Sequence, residues 1–333
     1  MPNLPVAAYF AAGWLRAMGV PTVGVLHSDD PFYRALQDAF VFGSRRFRLS
    51  GLACVSRQLE NQVIMRRPAD TRVWRIPYGV PVPIRSVERI PGKLRLAFVG
   101  RLAEEQKRIS EVTRALCRAM REIPGIAAVL FGDGPDRHNV ERILAAAGDD
   151  LAVRLGGRIP SDHIQTALLE CDVLVLLSDY EGLPIALMEA MACGCVPVCL
   201  RMRSGIPELV DHGVTGLLID DRDDGFIAAV RRLHDETGLW ERLSAAAKAR
   251  IETGFSDAVC NRQWAAMLHE FGDRISHSRP LKVPSLFRLP ARNPALETTD
   301  NRRRPISLPL RLWRCGRMLA GRVKRRLFGQ PVP

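Results

Sequence analysis

Between Leu94 and Leu218, short continuous apolar runs alternate with longer stretches whose apolar residues recur at helical spacing. The runs lie at residues 96–100, 129–132, 153–156, 173–178, 196–200 and 216–219. They read as parallel strands buried on both faces, and with helices between them they predict a doubly wound parallel sheet. Residues 1–90 repeat the alternation on a smaller scale, with strands expected at 22–26, 51–55 and 73–76. The proline-containing stretch 81–93, closing on Pro91-Gly92, marks a linker between two α/β units. Helical patterns run from about Arg222 to Phe271, carried by Leu233, Leu239 and Leu243, then by Trp264, Met267, Leu268 and Phe271; they are expected to close the larger unit. The division expected is therefore 1–90, 91–278 and a tail, 279–333.

With 47% apolar and 25% charged residues, a chain of 333 has enough core for two soluble domains. None of the eight cysteines forms a Cys-x-x-Cys pair and most lie in apolar runs, so they read as small buried residues in a reducing, cytoplasmic setting rather than zinc ligands. The apolar start has no basic residue before Arg16, which argues against a signal peptide, and no apolar run reaches the roughly 20 residues of a membrane span.

The net charge of +12 sits entirely in the tail, where 14 Lys and Arg from Arg279 onward face 2 acids. There Leu312, Cys315, Leu319, Val323 and Leu327 recur at helical spacing, predicting a basic amphipathic helix. Such a helix suits the anionic inner face of a membrane, with Trp313 and Phe328 as interfacial anchors; a solvated, disordered tail is the plainer alternative. Aromatic residues do not alternate with the basic ones, so no specific nucleic-acid partner is expected.

The strongest candidate chemistry lies in Tyr180-Glu-Gly-Leu-Pro-Ile-Ala-Leu-Met-Glu189, where a buried strand gives way to a helix. In open α/β sheets ligands bind outside the carboxyl ends of strands, and a helix N-terminus offers unsatisfied amides to phosphate or sugar oxygens. Glu181 and Glu189 can accept hydrogen bonds from hydroxyl pairs, so hydroxyls plus phosphate suggest a nucleotide sugar. The competing possibility is that Glu181 caps the helix and Glu189 is solvated. Arg101 and Lys107, following the strand at 96–100, place two cations at the same sheet edge, suited to a departing diphosphate.

Together, Gly100-Arg-Leu102 with Lys107, Phe131-Gly-Asp-Gly-Pro135, the Glu181 to Glu189 segment running into Ala-Met-Ala-Cys-Gly194, Gly205-Ile-Pro-Glu208 and Gly213-Val-Thr-Gly-Leu217 resemble the group 1 (family 4) retaining glycosyltransferases. That resemblance implies the glycosyltransferase-B fold, two Rossmann-like domains with the donor in the second and the acceptor held by the first, and no cofactor or essential metal. It implies that Arg101 and Lys107 hold the donor diphosphate, Glu189 the ribose and Glu181 the transferred hexose, with help from the amides of Gly182 and Leu183, while Glu208 lines the same cleft. The acceptor expected is lipid-linked or a saccharide.

The first 90 residues match more loosely, through Gly19 to His27, Ala53 to Ser56 and Ile76-Pro-Tyr-Gly79. His27 corresponds to a cleft histidine of the family, although a plain loop residue is the alternative. The family's opening strand and glycine-rich turn are not found before this segment, so the N-terminal domain is expected to be incomplete. A misassigned start, a partner chain that completes the domain, or a non-catalytic donor-binding subunit would each account for that. Asp220 to Asp224, which contains Asp-x-Asp, is expected to cap a helix rather than hold a metal.

Overall fold

The computed structural model describes residues 6–148, 150–202, 204–272, 290–291 and 293–296. Within them the apolar runs become nine strands in two wholly parallel sheets. The smaller sheet has the order β1 (Val23–Leu26), β2 (Gly51–Cys54), β3 (Arg72–Arg75). It is interleaved with helices α1 (Val6–Ala17), α2 (Pro31–Phe40) and α3 (Arg57–Met65). α2 starts where Asp30 accepts the Tyr33 amide at 3.0 Å and Pro31 presets the first helical turn; α3 starts where the Ser56 hydroxyl accepts the Leu59 amide at 3.3 Å.

The larger sheet uses β4 (Leu94–Val99), β5 (Ile126–Phe131), β6 (Val153–Gly157), β7 (Val173–Leu176), β8 (Val196–Leu200) and β9 (Leu217–Ile219), in the spatial order β6-β5-β4-β7-β8-β9. Helices α4 (Glu104–Lys107), α5 (Ile109–Glu122), α6 (Arg137–Ala147), α7 (Ile164–Leu168), α8 (Ile185–Cys193), α9 (Ile206–Leu209), α10 (Asp224–Asp235) and α11 (Leu239–Gly254) connect and cover it. The order reverses between β4 and β7, so the loops leaving those two strands part and open a crevice at their carboxyl ends. At the opposite ends, the fully buried Asp172 accepts from Arg95 Nε at 3.0 Å, Nη2 at 2.7 Å and the Arg95 amide at 2.6 Å. This polar lock ties the starts of β4 and β7 together and fixes which residues emerge side by side above them. The core between is dense in Leu96, Phe98, Leu116, Val175, Leu187 and Met191, all 1% exposed or less. Each such side chain contributes about 1.5–3 kcal/mol on burial.

Several strands stop one or two residues short of the apolar runs that predict them. Gly100, Gly132, Val55 and Ile76 still donate one ladder bond each, then the chain turns into the crevice loops, and Leu177 and Ser178 stay fully buried beyond the end of β7. Burial therefore outlasts strand pairing where the site begins.

Helix α12 (Asp257–Gly272) departs from the expectation that residues 222–271 close the larger unit. Its Met267 and Phe271 pack on Ala53 and Ile76 of the smaller unit, with the Phe271 ring 5.3 Å from Trp74, and Trp74 Nε1 donates to Glu270. Helical spacing reveals an apolar face but not which sheet it covers. Residues 81–93 form neither helix nor strand, and they are held against the larger unit: Lys248 Nζ donates to the carbonyls of Pro83, Ile84 and Arg85 and to the Ser86 hydroxyl at 2.8–3.2 Å. Val80 and Ser256 pair with each other where the chain passes between the units. The basic helix expected in the tail lies outside the described residues. Among the described residues no helix is long and apolar enough to cross a membrane.

Candidate functional site

Lys107 and Glu181 meet above the β4/β7 reversal. Gly100 leaves β4, the one-turn helix α4 brings Lys107 back beside it, and the loop after β7 delivers Glu181 from the other side. Lys107 Nζ donates to Glu181 Oε1 at 2.5 Å, with the side chains 14% and 8% exposed. Gln106 Nε2 donates to the Tyr180 carbonyl at 2.9 Å and to Glu181 Oε2 at 3.3 Å, while the Asp179 amide donates to the Gln106 carbonyl at 2.9 Å. The two loops are thus laced together, and a carboxylate that accepts one bond on each oxygen keeps lone pairs for hydroxyl donors.

The loop after β5 supports this arrangement through glycine. A β-carbon on Gly132, whose φ is +139°, would stand 1.8 Å from the Gly100 carbonyl oxygen, so only glycine lets the two loops lie backbone to backbone. The Leu102 amide then donates to the Asp133 carbonyl at 3.0 Å, and Asp136 accepts the Glu104 amide at 2.8 Å. Arg101 projects from this braced loop. It is exposed and has no hydrogen-bond or ion-pair partner among the described residues.

Helix α8 begins after Pro184 with no side-chain cap, which removes the capping alternative for Glu181. The amides of Gly182 and Leu183 have no acceptor among the described residues. Glu189, one turn into α8, is half-buried with no side-chain partner among the described residues, and burial pushes its carboxyl above the usual carboxylate range. A half-buried carboxyl without a side-chain partner among the described residues keeps both oxygens able to accept from hydroxyl donors.

From the smaller unit, His27 follows β1 and its backbone touches this turn: a β-carbon on Gly182 would stand 2.2 Å from the His27 carbonyl oxygen. The imidazole Nδ1 makes a short hydrogen bond with the Tyr78 hydroxyl, and the two rings stack at 5.6 Å and 9°. Burial lowers the His27 pKa and pushes the Tyr78 phenol up to about 12, so both are neutral near pH 7. Tyr78 escapes a sequence reading because only the meeting of the chain after β3 with the end of β1 gives it a role. Gln106 could have been suspected from its place beside Lys107.

Glu208 is brought to the cleft but not to the Lys107–Glu181 pair. Its Oε1 accepts the Arg57 amide and its Oε2 pairs with Arg75 at 2.8 Å, so the carboxylate bridges the two units from within the cleft it was expected to line. In the acidic segment, Asp221 Oδ1 accepts the amides of Asp223 and Gly225, both at 2.9 Å, at the start of α10, while Asp220 pairs with Arg201 and Asp224 with Arg118. No cluster among the described residues has metal-ligand geometry.

Comparisons with known proteins agree with this architecture. AmsK of Erwinia amylovora, an amylovoran biosynthesis glycosyltransferase, is 33% identical over 227 residues, which are 64% of this chain and 54% of AmsK. The alpha-D-kanosaminyltransferase of Streptomyces kanamyceticus is 25% identical over 80% of this chain and 75% of its own length. The chain spans about half the length of AmsK and of the colanic acid biosynthesis WcaL proteins it also matches. Among solved structures, Anabaena Alr3699/HepE in complex with UDP and glucose superposes with a TM-score of 0.64 at 21% identity, covering 79% of this chain and 74% of HepE. The pneumococcal O-GlcNAc transferase GtfA in complex with UDP and GlcNAc gives 0.65 at 19% identity, covering 77% and 53%. These likenesses establish the glycosyltransferase-B fold, and the family model for group 1 glycosyl transferases matches residues 83–250, half of the chain and all the loops from Arg101 to Glu208. The chain belongs to the group 1 glycosyltransferases.

Proposed function

We propose that this chain transfers a hexosyl group from a nucleoside diphosphate sugar to a hydroxyl of a saccharide or lipid-linked acceptor, with retention at the anomeric carbon, in cell-surface polysaccharide or glycolipid synthesis. The observation that carries the reading is the group of complementary ligand-facing elements at one sheet reversal: the Lys107–Glu181 pair, the unpartnered Arg101, the open amides of Gly182 and Leu183, and the unpaired Glu189. In this reading Arg101 and Lys107 take the charge that develops on the departing diphosphate. Glu189 receives the ribose hydroxyls and Glu181 those of the transferred sugar. His27, held by Tyr78, faces the reacting end. The acceptor attacks from the face the diphosphate leaves, its proton passing toward the leaving phosphate oxygen, so no separate strong base and no metal are called on. Peripheral placement on the inner face of an anionic membrane belongs to the same proposal and rests on the charge of the tail.

Because two of the solved neighbours carry UDP with a hexose or hexosamine, UDP-sugars are the first donors to screen, by donor hydrolysis and then by transfer with the product anomer read by NMR. Turnover is expected to persist in EDTA and to yield the donor's own anomeric configuration. Arg101→Lys keeps the charge but loses the planar fork, so UDP binding is expected to weaken by about tenfold. Unchanged affinity in a calorimetric titration would remove Arg101 from the donor site.

Glu189 supplies a pH test. Its raised carboxyl binds a proton in the folded chain where the unfolded chain has already lost it, so stability falls as pH rises from the ordinary carboxylate range through the raised value. Hydroxyls donating to the ionised carboxylate favour the charged form, so UDP affinity should drop as pH falls through that same window. Glu189→Gln is expected to raise the thermal midpoint at pH 7, weaken UDP binding by about tenfold and abolish its acid-side decline. A variant that binds UDP like the wild type across the range would count against the ribose assignment.

A further inference from the structure

A pocket of about 520 Å³ opens between the two units beside the Glu208 bridge. One wall comes from the smaller unit: Arg57, Gln58 and Asn61 on the first turns of α3, and Arg75 at the carboxyl end of β3. Glu208 of α9 and Arg250 of α11 form the other. Three guanidinium groups face one carboxylate, and that carboxylate is already spent on the Arg57 amide and on Arg75. Arg250 Nε donates to the Glu208 carbonyl at 3.1 Å, which steadies the side chain, and its two terminal nitrogens have no partner among the described residues. The Arg57 guanidinium and the Gln58 and Asn61 amides have no partner among the described residues. A cleft with an uncompensated excess of positive charge, walls from two units and planar forks on both sides attracts and orients an oxyanion.

We propose that this pocket binds a phosphate or carboxylate group carried by the acceptor, so that the acidic end of that molecule sits between Arg57 and Arg250 while its hydroxyl reaches toward His27 and Glu181. The pocket has the volume of a small-molecule site that can enclose one sugar ring. Because Arg57 belongs to one unit and Arg250 to the other, an oxyanion bridging them also draws the units together. The donor loop is kept apart from this pocket by the Gly205 amide, which donates to the Gly182 carbonyl at 2.7 Å, and by the Glu208–Arg75 pair. Assigning the oxyanion to the acceptor rests on the transfer reading above; the anion site itself does not.

The test is calorimetric titration of the full chain at low salt with inorganic phosphate, with D-glucuronate and with D-glucose as the neutral control, each with and without saturating UDP. Saturable binding of at least one oxyanion is expected in the presence of UDP, and none of glucose. The phosphate and glucuronate arms distinguish a phosphorylated acceptor from a uronic acid. In Arg57→Gln/Arg250→Gln that binding should weaken by about tenfold or more, with UDP affinity within about twofold of wild type. Arg101→Gln/Lys107→Gln should show the reverse pattern. Oxyanion binding that UDP displaces completely, or that survives loss of Arg57 and Arg250, overturns the proposal. If wild-type chain binds no UDP, the transfer reading fails, and the Arg57/Arg250 comparison still decides the pocket on its own.

Discussion

Lys107→Met is expected to lower the rate of sugar transfer by a factor on the order of 10²–10³ and, in the same protein, to cost about 3 kcal/mol of stability. The two losses have different origins. Glu181 is 8% exposed, so removing its cation leaves a desolvated carboxylate with only the Gln106 amide for compensation, and an uncompensated buried charge is what destabilises. Transfer suffers because the ammonium that would meet the departing diphosphate is gone. Lys107→Met/Glu181→Gln separates the effects: removing both charges should restore most of the urea midpoint, since the pair's net worth is small, while transfer stays at the level of the single variant or below. Transfer that recovers along with stability would show that Lys107 serves only to hold the loops together.

Gly182→Ala should lower transfer by about 100-fold and destabilise the chain by about 1–3 kcal/mol although it removes no polar group. The added methyl would stand 2.2 Å from the His27 carbonyl oxygen, a backbone atom that no rotamer change can move. Either the turn that carries Glu181 and Leu183 retreats or the two units part, and both displace the ends that must converge on one anomeric carbon. Gly254→Ala is the control for the cost of a methyl group: at the end of α11 nothing lies within 4 Å of the place it would take, so stability should be equal or slightly higher and UDP binding unchanged. Wild-type rates in Gly182→Ala would mean that the close approach of His27 is not needed for transfer.

What the chain reveals before it is folded follows the range of the forces involved. Continuous apolar runs are local, and they mark all nine strands to within about three residues. The alternation of strands with helices implies a doubly wound sheet, and that alone puts the residues after β4 and β7 at one edge, which is why Arg101, Lys107 and Glu181 could be grouped from sequence. The 2.5 Å contact, by contrast, needs the one-turn helix α4, too short to show a period. Tyr78 behind His27, the capture of Glu208 by Arg57 and Arg75, and the docking of α12 on the smaller sheet all depend on how two units face each other. No spacing along one chain encodes that relation.

The four bonds gathered by Lys248 carry a mechanical meaning. Because residues 83–86 are fastened to α11, the linker travels with the larger unit instead of acting as a tether between the two. The free span shrinks to a pair of adjacent backbones, at Val80 and Ser256, which are themselves joined. Two joined backbones resist twisting and sliding more than bending, so any opening of the cleft would run as a swing about the line through Val80 and Ser256. On the proposed transfer, a pivot of this kind would bring His27 back to the same place over Gly182 whenever the cleft closes.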